Sequence, residues 1–215
     1  MNNFMNMNKT KKLSIKHLKY LFGDYSDDIL EKLNYDYISK YSITPAKYAD
    51  EITNAMEKYC IKILNKPISK TIITEMTACV GGNVISFAKK FKYINAIELC
   101  EERYNFLQHN LKILKLENNV NTICGDSLIE IANLHQDIIF FDIPWGGKNY
   151  KFKEHINLYI SKIPSYVACN LVKKYAKMIV MKTPHNFNIT KFDKHIEMTI
   201  YEVLDLDKFK LLILI

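Results

Sequence analysis

The chain has 215 residues, 48% of them hydrophobic, with six glycines and five prolines; it can fill one well-buried domain, and it excludes two large domains or a linker-rich disordered chain. Its formal net charge of +7 suits a polyanionic partner such as RNA, DNA or a membrane surface, although a basic solvated surface gives the same sum. The five cysteines, Cys60, Cys79, Cys100, Cys124 and Cys169, contain no CxxC pair, which excludes a zinc ribbon or a disulfide framework and reads as reduced thiols of an intracellular protein.

The first dozen residues read as a flexible tail, polar and then basic, without the apolar stretch of a signal peptide. No run approaches bilayer-spanning length, so a soluble protein of the nucleus or cytoplasm is expected. A helical region is expected from about Ser14 to Ile38, with Leu18, Leu21 and Phe22 on one face and Ile29, Leu30 and Leu33 on another. Thr44 followed by Pro45 reads as an N-cap with proline at the first helical position, opening a helix that ends near Leu64. Thr71 to Met76 is a β-branched apolar run and hence a buried strand. Small residues (ACVGGN) then lead into a helix through Phe91. Tyr93 to Leu99 is a second strand, and EERYNFLQHNLKILKL an amphipathic helix. VNTICGD is a third strand and QDIIFFDIPW a fourth that runs into a loop. A linking helix near Pro164 to Tyr175 precedes a fifth strand, Lys177 to Pro184. EMTIYEVL and KFKLLILI, parted by a turn around Asp205 to Asp207, form a terminal antiparallel hairpin. The fold class is therefore α/β, Rossmann-like, with a mainly parallel doubly wound sheet. Residues 1–40 form a tail and helical extension, and 41–215 the main domain.

In such a sheet, ligands bind outside the carboxyl ends of the strands. Four features fall there. Gly81 and Gly82 follow the first strand and let backbone approach a ligand at a helix amino terminus, though two glycines also serve tight packing. Glu98 ends the second strand, where a carboxylate can accept from both hydroxyls of a ribose; a solvated loop carboxylate is the plainer reading. Asp126 in CGDSL can accept from an adenine amino group, or simply cap the next helix. DIPWGG, Asp142 to Gly147, ends the fourth strand. Each feature alone is weak, and their order at successive strand ends is what carries weight. His109, His135 and His185 lack metal-ligand spacing, so no metal is assigned.

These segments resemble the trimethylguanosine synthases, which methylate the 2-amino group of a 7-methylguanosine RNA cap. The likeness runs from about Leu18 to Asn188. SITPAKYADEI is similar to the family's S-V-T-P segment, TEMTACVGGNVISFA to its D-x-F-C-G-x-G-G-N loop, and DIPWGG to its S-P-P-W-G-G; LFGDYSDDI, AIEL and CGDSL keep the family's order. The resemblance implies a class I methyltransferase using S-adenosyl-L-methionine, with Thr44, Glu75, Cys79, Gly81, Gly82, Glu98 and Asp126 lining the cofactor pocket. It implies Asp142, Pro144 and Trp145 as candidate catalytic residues, with Trp145 stacked on the methylated guanine. Pro184 to Asn186 falls where the family has a loop near substrate. Cys79 stands where the family has glycine, and Asp142 where it has serine. The second departure brings the motif towards the D-P-P-Y of other amino-group methyltransferases.

The chemistry wants alignment of nucleophile and methyl. The carbonyl of Ile143, ahead of Pro144, or the carboxylate of Asp142 can orient the amine, and Asp142 can also take its proton. Trp145 is the only tryptophan; a lone tryptophan usually belongs to a core, but a proline before it and two glycines after it favour a loop. A cationic purine on its face would gain about 0.5–2 kcal/mol. Lys148, Lys151 and Lys153, interleaved with Tyr150 and Phe152, read as a grip on the cap triphosphate and first nucleotides, joined by Asn186 and by Lys16, Lys19 and Lys47. Capped RNA is thus the expected partner of a monomer, in a minimal version of the family suited to a small or viral genome. Two alternatives stand: an amino-group methyltransferase on another RNA or DNA base, and a non-catalytic RNA-binding subunit with a methyltransferase fold.

Overall fold

A computed structural model of the chain describes residues 12–215; the expected amino-terminal tail lies outside the described residues. Helix α1 (Ile15–Phe22) opens on Ser14, whose side chain accepts from the His17 amide. It stops at Gly23, where φ is 106°, a conformation that glycine adopts without strain. The expected helical region therefore breaks into α1 and the short α2 (Asp27–Leu30). After an irregular stretch, α3 (Ser39–Ser42) leads to the long α4 (Ala46–Lys62). Thr44 is not the cap of α4: Pro45 holds the cap position with extended backbone, because the Thr44 hydroxyl is committed to Asp142.

Strand β1 (Ile72–Glu75) and helix α5 (Gly82–Ala88) come next, followed by β2 (Tyr93–Glu98), α6 (Glu101–Ile113), β3 (Val120–Cys124) and α7 (Ser127–Glu130). Strand β4 (Ile138–Phe141) precedes a small hairpin, β5 (Tyr159–Ile160) and β6 (Ile163–Pro164), which the sequence pattern does not signal. Helix α8 (Ser165–Val172), β7 (Met178–Thr183), α9 (Ile189–Asp193), β8 (Ile200–Asp205) and β9 (Lys210–Leu214) complete the chain. One sheet runs in the order β3-β2-β1-β4-β7-β9-β8. Its first five members are parallel, and β9 and β8 are antiparallel additions.

Alternation across β4 explains its uninterrupted apolar sequence. All four of its residues are fully buried. Ile138 and Phe140 join the layer of α4, α5 and α6, while Ile139 and Phe141 join that of α8 and α9. A strand covered on both faces reads as a continuous hydrophobic run. One polar rung crosses this sheet: Thr74, Asn95 and Asn121 are register partners joined side chain to side chain, with Gln136 accepting from Thr74. A one-residue slip would strand these groups without partners, so the rung fixes strand register. The amino-terminal helices share a third cluster with the domain, in which Leu18, Leu21 and Phe22 meet Ile43, Val80 and Ile85.

Phe140 also meets the ring of Phe87 edge to face, with centroids 5.3 Å apart. Phe140→Ala should lower unfolding free energy by about 3–5 kcal/mol, read from urea denaturation followed by circular dichroism.

Candidate active site

After β1 the chain turns towards β2, and after β4 it turns the other way towards β7, so the crevice between the carboxyl ends of β1 and β4 is a topological switch point. Glu75 ends β1, Asp142 follows β4 and Thr183 ends β7. The turn after β1 keeps a glycine-like path at Cys79, whose φ is 51°, a conformation costing a non-glycine residue about 1–2 kcal/mol. Burial, and then the Glu98 carboxylate, pushes the Cys79 thiol up to about 12, so it stays neutral. Gly81 follows at φ 109°. Gly82 is required for another reason. A Cβ there would lie 2.7 Å from Ile43 Cγ1 and 2.8 Å from the Thr44 carbonyl oxygen, so this glycine lets the segment before α4 close onto α5.

Glu98 is buried and holds the next loops together. Its Oε2 accepts from the Cys79 amide at 2.8 Å; its Oε1 accepts from the Cys100 amide at 2.9 Å and from Arg103 Nε at 3.3 Å. Arg103 Nη1 reaches on to Asp36 at 3.3 Å, and Asp36 and Ser39 exchange hydrogen bonds. The segment before α3 is thereby tied to the end of β2, a link that sequence reading missed. Asp126 does cap α7, accepting from the Leu128 amide, and its other oxygen accepts from Ser161 at 2.7 Å.

Asp142 lies at the centre. Its Oδ2 accepts from Thr44 Oγ1 at 2.7 Å, Asn83 Nδ2 at 2.9 Å and Lys182 Nζ at 2.9 Å; its Oδ1 accepts from Lys182 at 3.1 Å. Lys182 also donates to Thr44 Oγ1 at 2.7 Å. Thr77 donates to the Asp142 carbonyl and to Glu75 Oε1. Neither Lys182 nor Asn83 was expected here. A lysine within an otherwise apolar strand run was the available signal, since lysines are almost never buried unpaired.

Glu75 is wholly buried. Its Oε2, like Asn83 Oδ1, Trp145 Nε1 and Thr183 Oγ1, has no hydrogen-bond partner. Four unmatched polar atoms near one crevice suit a ligand that brings donors and acceptors of its own. Burial first, and the Asp142 carboxylate second, push the Glu75 carboxyl up to about 8.

Trp145 is half-buried, packed against both sheet layers. The Lys182 ammonium lies 5.1 Å from its ring centroid, and Tyr150 meets it edge to face at 5.0 Å. Gly146 and Gly147 follow, both with positive φ, and lead into a 3₁₀ turn over Lys148–Phe152. Asn186 donates to the Tyr150 and Lys153 carbonyls, so its amide hydrogens pin this loop to the end of β7. Lys151 and Lys153 are exposed, and Phe152 is 87% exposed. The Lys148 side chain lies outside what the structure describes. Thr183, His185, Asn186, His155 and Lys210 line an adjoining open cavity of about 480 Å³.

Residues 70–206 match the family model described as RNA cap guanine-N2 methyltransferase. The chain belongs to this family. It is 37% identical over 220 residues to an uncharacterized protein of Acanthamoeba polyphaga mimivirus, covering 93% of this chain and 85% of the relative, in accord with a viral version. Among solved structures it is similar to a Pyrococcus horikoshii protein assigned as an RNA methyltransferase. That match has a TM-score of 0.56, 12% identity, and coverage of 93% of this chain and 96% of the other. A Streptococcus mutans protein assigned as an S-adenosylmethionine-dependent methyltransferase gives a TM-score of 0.56 at 13% identity, covering 81% of this chain and 50% of that one. These structural likenesses show the class I methyltransferase fold, and membership of the methyltransferase family implies S-adenosylmethionine as cosubstrate. No helix among the described residues is long and apolar enough to cross a membrane, and the described residues contain no cluster of potential metal ligands.

Gly82→Ala should cost about 1–3 kcal/mol of stability through overpacking against backbone, measured by urea denaturation. Glu75 makes a second prediction. The unfolded chain ionises this carboxyl near 4.5 and the folded chain only near 8, so the folded state holds the extra proton between these values. Its contribution to stability is complete below about pH 4.5 and is lost as pH rises through about 8. The melting temperature of the ligand-free protein should fall across this window more steeply than that of Glu75→Gln.

Proposed function

We propose that this enzyme transfers a methyl group from S-adenosylmethionine to the exocyclic 2-amino group of the 7-methylguanosine cap of RNA, giving a di- or trimethylguanosine cap. The observation that carries the reading is the convergence of Glu98, Glu75 and the Asp142–Trp145 segment on the carboxyl ends of the adjacent strands β2, β1 and β4, with Asp126 just beyond the end of β3.

The residues fit a cationic nucleoside donor. Glu75 Oε2 is a buried acceptor with no partner, suited to the donor's ammonium. Glu98 Oε2 accepts from the Cys79 amide and retains capacity for a ribose hydroxyl. Asp126 faces the adenine amino group, and Thr44, Cys79, Gly81 and Gly82 shape the wall beside it. When bound, the donor supplies an electrophilic methyl on a sulfonium. The chain's own task is to place the guanine amine in line with that methyl and to exclude water. Trp145, half-buried beside Lys182, is the indole on which the guanine stacks. Asp142 Oδ1, which has spare acceptor capacity, and the carbonyl ahead of Pro144 receive the amine hydrogens and turn its lone pair towards the methyl. With the amine so held, its nitrogen would gain the methyl as the donor's carbon–sulfur bond is lost, and the surplus proton would pass to solvent as the product leaves. Lys148, Lys151 and Lys153, with Tyr150 and Phe152, hold the triphosphate and the first nucleotides on a loop that Asn186 keeps in place through the Tyr150 and Lys153 carbonyls, and residues 1–40 extend this RNA contact.

The deciding experiment incubates the protein with labelled donor and RNA ending in 7-methylguanosine, unmethylated guanosine or no cap, and identifies the methylated nucleoside. Label confined to the 2-amino group of the methylated cap is expected; label on internal bases would replace this reading. Trp145→Ala should lose turnover on the cap while keeping donor affinity. Glu98→Ala should weaken donor binding by about ten- to a hundredfold in titration calorimetry, the scale of a lost hydrogen bond to a charged group.

A further inference from the structure

Lys182 is part of β7, yet its side chain is 8% exposed. A lysine at this depth needs compensation. It finds both oxygens of Asp142, the hydroxyl of Thr44, and the rings of Trp145 and Phe209 at 5.1 and 5.4 Å. Asp142 is almost as enclosed, at 10%. The ammonium that balances this carboxylate comes from the end of the neighbouring strand.

The same contacts decide how Asp142 can act. Three donors already converge on its Oδ2, from Thr44, Asn83 and Lys182, so a proton cannot be added there without breaking one of them. Oδ1 accepts one longer bond and points its remaining capacity elsewhere. The ammonium meanwhile touches the carboxylate on one side and an indole face on the other, joining the two ends of the Asp142–Trp145 segment.

We propose that Lys182 is a positioning residue for methyl transfer, whose ammonium locks the Asp142 carboxylate as a fixed hydrogen-bond acceptor and holds the Trp145 indole at the angle needed for stacking. This rests on the cap-methylation reading for its kinetic part and not for its structural part. Asp142 then accepts hydrogen bonds from the target amine through Oδ1, the oxygen with spare capacity. Lys182 contacts neither donor nor purine, and acts through the two groups that do.

The test compares wild type with Lys182→Met, Asp142→Ser and the Asp142→Ser/Lys182→Met pair. Turnover is measured at saturating donor and capped RNA, donor affinity by calorimetry, and indole mobility by acrylamide quenching of fluorescence excited to the red of tyrosine absorption, which reports Trp145 alone because it is the only tryptophan. Lys182→Met should reduce kcat by about a hundredfold, the scale of a small misplacement of reacting groups, with donor affinity preserved and quenching increased. The pair removes both charges together and avoids a stranded carboxylate; both it and Asp142→Ser lose turnover with the carboxylate, but the pair, lacking the ammonium, should show more quenching than Asp142→Ser, which keeps it. If Lys182→Met fails to fold, that comparison still decides: greater quenching in the pair supports the ammonium's hold on the indole, and equal quenching overturns it. Unchanged quenching and kcat in a folded Lys182→Met also overturn it. Wild type inactive on every capped RNA would refute the cap-methylation reading, and the quenching comparison would still judge Lys182.

Discussion

The carboxylate of Asp142 organises the centre of this molecule. A charged group at that depth must be met by donors from every side, and four separate parts of the chain supply or shape them. Thr44 comes from the segment ahead of α4, Asn83 from α5, Lys182 from β7, and Thr77 secures the Asp142 carbonyl from the turn after β1. None of these contacts is local in sequence except by accident of the fold. The donors of this network all find acceptors, while Asn83 Oδ1 and Glu75 Oε2 at its edge stay unmatched.

This requirement also explains the path of the amino-terminal region. The segment carrying Thr44 reaches Asp142 because Gly82 has no side chain to hold it off. A little earlier, Asp36 is joined through Arg103 to Glu98. The first helices thus form one wall of the crevice and share its apolar packing with Val80 and Ile85. The glycine pair is consequently less a cradle for phosphate than a place where two pieces of backbone meet, with Gly81 supplying the turn and Gly82 the clearance.

Much of the fold was legible because its strands obey simple rules. Doubly covered β4 and β7 read as apolar runs, the strand ends fell near Glu98, Asp126 and Asp142, and the terminal hairpin followed from two apolar runs parted by a polar turn. The Ser14–Ile38 region was read as continuously helical because amphipathic spacing persists past Gly23; only the backbone dihedral there breaks it. Thr44 carried a sound capping signal, overruled by a carboxylate nearly a hundred residues away in the chain. In the site, single acidic residues at strand ends could be found, and Lys182 left a trace as a lone lysine in an apolar strand, whereas Asn83, Thr77 and Arg103 left none. Their significance comes from pairing across elements, which no one-dimensional pattern records. The β5–β6 hairpin is too short to show alternation.

Gly146 and Gly147, just beyond the tryptophan, have a quieter consequence. Both adopt positive φ, and a methyl group built on either would touch nothing within 4 Å. What these two positions demand is thus their torsion angles and not empty space around them. A side chain at either would fit without a clash and still strain the backbone, so this bend would resist substitution for a reason opposite to that at Gly82.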